Sequence, residues 1–252
     1  MEHTREHRSL LAERERRLLI AIAHRLPAWI NSDHLTLVGL LSMPIAGVAF
    51  AKIPDAPWSA AAFVAALAAN WFGDSLDGTL ARVRDQQRPR YGYYVDHVID
   101  LIGTASLFAG MGASGLMHPS IAMALAAAYF LVCAESYLAT HASGIFRISF
   151  AGFGPTELRI VLATGAIAVV GKPWVNVAGQ DARLFDVGGV IAVVGMVVAF
   201  VASAIRNTRS LYLAEPLPPS NTDSTQRTQR TQRTQSQNLQ EPDLKRSISL
   251  CP

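Results

Sequence analysis

Apolar residues gather in six long stretches, at about 35–53, 57–76, 98–117, 120–140, 157–171 and 187–205, with polar turns between them. Most approach the ~20 residues that cross a hydrocarbon core of roughly 30 Å. The 157–171 stretch is short and needs its neighbours to reach that length. These runs are rich in Ala, Val and Leu and lack alternation of period two. A backbone in lipid must satisfy its own hydrogen bonds, so the pattern predicts helices instead of barrel strands. The fold class read from it is an all-α integral membrane protein with six transmembrane helices.

The flanks differ in character. Residues 1–29 are highly charged with Leu10, Leu11, Leu18 and Leu19 interspersed. They lack the short charged start and small-residue cleavage site of a secretory signal. This pattern predicts an amphipathic helix on the cytoplasmic surface that favours anionic lipid. At the other end, Glu215-Pro-Leu-Pro-Pro breaks any helix, and residues 225–233 repeat the triplet Thr-Gln-Arg three times. Residues 210–252 therefore read as a low-complexity, disordered tail, which leaves 30–209 as the six-helix domain.

Composition agrees with a membrane solvent. Of the 252 residues half are apolar and 16% charged, with a mean hydropathy of +0.24, whereas soluble domains carry roughly a quarter charged residues. Between Ile99 and Phe146 the charged residues are Asp100 and Glu135 alone. The net charge of +3 does not point to nucleic acid, because the basic residues flank apolar segments instead of forming a stripe with interleaved aromatics. Arg5, Arg8, Arg14, Arg16, Arg17, Arg25, Arg82, Arg84, Arg88, Arg90, Arg147, Arg159, Arg206 and Arg209 fall on one side of the six-helix topology, fourteen against Lys52, Lys172 and Arg183 opposite. That bias puts the 82–92 turn and both termini in the cytoplasm, and a bacterial plasma membrane is the expected location. Cys133 lies in an apolar run and Cys251 in the tail, so neither a disulfide nor a cysteine zinc site is supported.

Candidate chemistry concentrates in residues 74–100, DSLDGTLARVRDQQRPRYGYYVDHVID. Acids within membrane segments are functional candidates. Asp74 and Asp77 are spaced i,i+3 on one helix and Asp96 and Asp100 i,i+4 on the next, so each pair shares a face. The Arg-rich turn lets the pairs converge. Four packed carboxylates repel unless compensated, and hard oxygen ligands favour Mg2+ or Mn2+, with four acids sufficient to bridge two ions. Gly78, Ala81 and Gly92 permit close helix approach or access of a nucleotide. Arg82, one turn beyond Gly78, can meet a diphosphate with a planar fork of donors. Leu76-Asp77-Gly78-Thr79-Leu80 also looks like an aspartyl-phosphate loop of haloacid-dehalogenase-like phosphatases, but the nucleophilic acid required two positions before Asp77 is replaced by Ser75.

Taken whole, Asp74-x2-Asp77-Gly78-x2-Ala81-Arg82-x9-Gly92-x3-Asp96-x3-Asp100 resembles the signature of the CDP-alcohol phosphotransferase family over eight fixed positions. The resemblance covers about residues 30–205. It implies a metal-dependent enzyme that transfers a phosphatidyl or phosphoalcohol group from a CDP-alcohol to a hydroxyl and releases CMP, in phospholipid biosynthesis. It makes Asp74, Asp77, Asp96 and Asp100 metal ligands, with Asp100 also the base for the acceptor hydroxyl, and places Asp77, Gly78, Ala81 and Arg82 along the cytidine diphosphate. The partners implied are a CDP-linked donor and a hydroxyl acceptor, one of them a lipid; a homodimer is left open. The family often has Pro-Asn before a Leu-Thr at the start of its first helix, whereas this chain reads Ser32-Asp33-His34-Leu35-Thr36.

A second likeness joins Thr140-His141-x-Ser143-Gly144-x2-Arg147 and Thr156-Glu157 to choline/ethanolamine phosphotransferases. Glu157 and Arg159 begin the fifth apolar stretch, where they either orient an acceptor or phosphate or serve as helix-terminal charge. Glu135 either reaches the site or pairs with an arginine, and His141 is either a base or structural. Asp181, Asp186, Lys172 and Arg183 read as solvated loop charges. A six-helix cation transporter, also built on intramembrane acids, is the alternative function.

Overall fold

Ser32 opens a helix because Asn31 caps it: the Asn31 side chain accepts from the His34 N–H at 3.0 Å, and the His34 ring accepts from the Asn31 N–H at 3.3 Å. This reciprocal box satisfies two donors that a helix start otherwise leaves orphaned. The structure, a computed structural model, describes residues 12–143, 155–215, 217 and 228–234. Its elements in chain order are α1 (Ala12–Arg25), α2 (Ser32–Ala51), α3 (Ser59–Val83), α4 (Pro89–Ala113), α5 (Pro119–Ser143), α6 (Pro155–Gly171), β1 (Trp174–Val177), β2 (Gln180–Arg183) and α7 (Leu184–Ala214). Among the described residues, three helical segments suffice by length and composition to cross a membrane: Ser32–Ala51, Pro119–Ala142 and Leu184–Ala214. The other long helices differ for visible reasons. Helices α3 and α4 carry the acids of the 74–100 segment, and α6 has 17 residues.

The chain divides into two units, residues 1–207 and 208–252, and every candidate site residue belongs to the first. Helix α7 ends at Ala214, beyond the 209 boundary expected from composition. Residues 228–234, expected to be disordered, form a helix in which every residue is exposed.

Helices α2, α3 and α4 make the frame. In lipid the hydrophobic effect does not drive helices together, so packing distance and polar contacts decide. Helix α2 meets both neighbours at glycines. A Cβ added to Gly73 would lie 2.5 Å from the Leu35 carbonyl oxygen and 2.6 Å from the Gly39 nitrogen. One turn-pair further along, a Cβ on Gly47 would come within 2.5 Å of the Ser106 carbonyl, and one on Gly110 would overlap the Gly47 backbone. Gly103 packs against Met43 in the same seam, where an added Cβ would meet Met43 Cβ at 2.9 Å.

Below the seam lies an aromatic core. Phe50 is fully buried between Phe63, at 5.2 Å, and Phe185, at 4.7 Å, both edge-on. A second cluster sits beneath α1, where Leu19 and Ala23 pack on Leu35, Leu76 and Leu80. Helix α1 is therefore docked on α3 along one face, while Leu18 stays half exposed. Leu10 and Leu11 lie outside the described residues.

The strands form a hairpin that the sequence reading took for a plain loop. Ala178 and Gly179 both have positive φ, 52° and 86°, the pairing that matches a two-residue loop to the twist of its strands. Three of the four charges expected to be merely solvated have partners: Asp181 accepts from Asn176 Nδ2 at 3.2 Å, Asp186 of α7 accepts the His118 N–H at 2.6 Å, and Arg183 lies 3.8 Å from Asp186.

We expect Gly73→Ala and Gly110→Ala each to lower the thermal midpoint in detergent by several degrees or to abolish folding, since over-packing costs about 1–3 kcal/mol. Gly195→Ala, with open space around it, is expected to hold or raise the midpoint. Equal midpoints for the three variants would show that the helix crossings tolerate a methyl group.

Candidate active site

The turn after α3 sets the site. Asp85 adopts φ 53°, the Gln86 N–H reaches the Ala81 carbonyl at 2.9 Å and the Asp85 N–H the Arg82 carbonyl at 3.3 Å. These are the two bonds of a Schellman stop. Pro89 then starts α4, where its missing N–H costs nothing. The reversal sends α4 back along α2, on which α3 also packs, so Asp96 and Asp100 return toward Asp74 and Asp77.

The charges converge. Asp74, Asp77, Asp96 and Arg159 all stand close enough for their charges to bear on Asp100, and Asp74 and Arg82 bear likewise on Asp77. Asp77 is buried, Asp74 and Asp96 are half-buried, and Asp100 is exposed. Asp77 is held from two sides: its Oδ2 accepts the Thr36 hydroxyl at 2.7 Å and its Oδ1 accepts the Gly78 N–H. Its backbone carbonyl accepts the Ser32 hydroxyl at 2.8 Å. Arg88 pairs with Asp33. The segment Ser32-Asp33-His34-Leu35-Thr36, whose departure from the family pattern left its role open, thus anchors Asp77 and the α3–α4 turn.

Asp74 has a different partner. Arg159 donates Nη2 to Asp74 Oδ2 at 2.7 Å and Nε to Asn70 Oδ1 at 2.9 Å. Asn70, buried, donates in turn to the Gly39 carbonyl at 3.1 Å. Of the two readings open for Arg159, it is the residue in contact with the acids, not only a helix-terminal charge.

Gly78 and Gly92 do not serve helix packing. A Cβ at Gly92 meets nothing within 4 Å, and one at Gly78 meets only the mobile end of Arg82, at 3.5 Å. Ala81 is half-buried on the same helix, and Arg82 donates to the Thr79 hydroxyl at 3.1 Å. Beside Asp100, the ring of His97 lies 4.1 Å from that of Tyr93 and 4.9 Å from that of Tyr137. Cys133 shares side-chain hydrogen bonds with Tyr129 and Tyr137.

Other candidates fall away from the acids. Glu135 accepts from Asn207 at 2.6 Å, so its partner is an amide and not an arginine. His141 is exposed. Gly144 and Arg147 lie outside the described residues.

Three residues to which the sequence assigned no role matter here. Thr36 and Asn70 have been described; the third is Glu15 of α1, which accepts from Trp71 Nε1 at 2.7 Å and from the Thr156 hydroxyl at 3.1 Å. The available signal was a polar residue within an apolar run: Asn70 one turn before Asp74 on the same face of α3, and Thr36 on the neighbouring α2.

The donor set suits a hard divalent ion by its chemistry, four carboxylates with no thiolate among them. Among the described residues, no three His, Cys, Asp or Glu side chains stand arranged to hold an ion. The reason is visible: Asp74 is turned to Arg159 and Asp77 to Thr36 and the Gly78 amide.

The family model for CDP-alcohol phosphatidyltransferase matches residues 29–205, which include all four acids, Arg82, Arg159 and the start of α2. The chain belongs to that family, and it is a transferase acting with a CDP-alcohol and an alcohol acceptor in phospholipid synthesis. No curated protein matches the chain.

Replacing Asp85 with glycine is expected to raise stability by about 0.5–1 kcal/mol, since a non-glycine residue is strained at positive φ. The midpoint in detergent measures it, and a fall would mean that the Asp85 side chain contributes more than its backbone strain removes.

Proposed function

We propose that the first unit catalyses attack of an acceptor hydroxyl on the phosphorus that carries the alcohol of a CDP-alcohol, at a site formed by Asp74, Asp77, Asp96 and Asp100. The family generally depends on a divalent metal. When bound by these four carboxylates, two Mg2+ or Mn2+ ions supply positive charge to the diphosphate as charge builds on it. Asp100, the exposed member, accepts the acceptor's proton as the new P–O bond forms and the bond to CMP breaks. Arg82 meets the diphosphate with its guanidinium, and the open space at Gly78 and Gly92 admits the nucleotide.

The observation that carries this reading is the convergence of the three other motif acids, Asp74, Asp77 and Asp96, on Asp100. Acids gathered against their mutual repulsion on helices of a membrane protein have no folding purpose that uncharged residues would not serve better. The space at Gly78 and Gly92 supports it, because a helical glycine without a close neighbour is otherwise a pure loss of stability.

The surroundings favour a lipid as one substrate and six membrane spans. On α3 and α6, away from Asp74 and Arg159, a groove is lined by Ala60, Ala61, Val64, Ala65, Ala68, Ile167 and Val170. Such a surface accommodates an acyl chain, not a polar headgroup. The charges of α3, α4 and α6 crowd toward the site end: Asp74, Asp77 and Arg82 late in α3, Arg90, Asp96 and Asp100 in the first half of α4, Glu157 and Arg159 at the start of α6. That leaves each an apolar remainder for the bilayer, with the site on the cytoplasmic side, where arginines abound.

The test is CMP release from radiolabelled CDP-alcohols in liposomes. Chelation is expected to stop it, and Mg2+ or Mn2+ to restore it. Asp96→Asn is expected to abolish turnover with an unchanged thermal midpoint, and Gly78→Val to reduce it at least about tenfold by filling the nucleotide space. Turnover near normal in folded Asp96→Asn would exclude the site.

A further inference from the structure

Arg159 occupies an unusual station. Its side chain is 16% exposed and that of Asp74 34%, and its charge bears on Asp100 as well. One end of the guanidinium, Nη2, holds Asp74, and Nε is fixed to Asn70, which is itself tied to the Gly39 carbonyl. The cation therefore sits against an acid that the proposed metal site requires. Two cations cannot share one carboxylate face without strong repulsion, and a guanidinium is better matched to phosphate than to a hard cation's coordination shell.

We propose that Arg159 is the resident counter-cation of the acid cluster and an exchangeable ligand for substrate phosphate. This inference rests on the metal-dependent reading above. With no ion bound, Arg159 neutralises Asp74. When an ion takes Asp74, the Nη2 end is released while Nε stays on Asn70, and the freed donors turn to a phosphate oxygen of the CDP-linked substrate. Arg159 thus opposes metal binding in the absence of nucleotide and favours nucleotide once metal is present. Such coupling is reciprocal between the two ligands.

The test measures Mn2+ binding by electron paramagnetic resonance titration of the full-length protein in detergent, without nucleotide. Arg159→Met is expected to bind Mn2+ about tenfold tighter than the unaltered protein, because the competing charge is gone. Arg159→Lys, which keeps the charge, is expected to stay within about threefold. With Mn2+ present, Arg159→Met is expected to bind CDP more weakly, a change opposite in direction to the metal effect that general loosening of the site would not produce. Arg159→Gln gives the same comparison if the Met variant does not fold. Unchanged or weaker Mn2+ binding by the neutral variants overturns the inference while leaving the metal site standing. Absence of saturable Mn2+ binding in the unaltered protein, matched by Asp96→Asn, overturns the metal reading and the inference with it.

Discussion

Everything at the site depends on how closely α2 can approach its two neighbours. Gly73 stands against the Leu35–Gly39 turn and Gly110 against Gly47, so backbones touch where side chains would ordinarily intervene. Two crossings on one helix fix both the spacing and the tilt of α3 and α4. The carboxylates are attached just beyond those crossings, Asp74 adjacent to Gly73 and Asp100 three turns before Gly110, and inherit their separation from the backbone. A methyl group at either crossing displaces the helix, not merely a rotamer.

With the acids so placed, the fold must keep them from driving the helices apart. It does so with unlike partners. Asp77 is buried and receives neutral donors, the Thr36 hydroxyl and the Gly78 amide, which hold a carboxylate without adding charge. Asp74 is more exposed and receives a full cation from α6. The cluster is thus unevenly compensated, by neutral donors at Asp77 and by a cation at Asp74.

Much of this was legible in the sequence, but only where the signal is periodic. The i,i+3 and i,i+4 spacings identified which acids share a face, and the apolar runs located the helices, because both follow from helix geometry alone. What spacing does not encode is which glycine meets a backbone. Gly78 and Gly92 suit either helix packing or nucleotide access by sequence, and they face open space, whereas Gly39, Gly47, Gly73 and Gly110, unremarked in the apolar runs, carry the contacts. The same limit hid Asn70 and Thr36, whose partners lie 31 and 41 residues away. The hairpin was missed for another reason: Ala178-Gly179 is a weak turn signal, since alanine seldom takes positive φ.

The arginines of the 82–92 turn show how one sequence signal can carry two physical meanings. Counted together they report membrane orientation, and any lysine would serve that purpose. Their contacts are not interchangeable. Arg84 donates to the carbonyls of Leu26, Pro27 and Ile30, satisfying acceptors that the end of α1 and its linker leave unpaired. Arg88 pairs with Asp33 and stacks 4.2 Å over Tyr91, and Arg82 is kept beside Thr79 and Asp77. A forked, planar donor is needed at the first two and a phosphate-sized reach at the third. The positive bias is therefore partly a by-product of fastening α1, α2 and α4 around the acid cluster, where these residues close the floor of the candidate site.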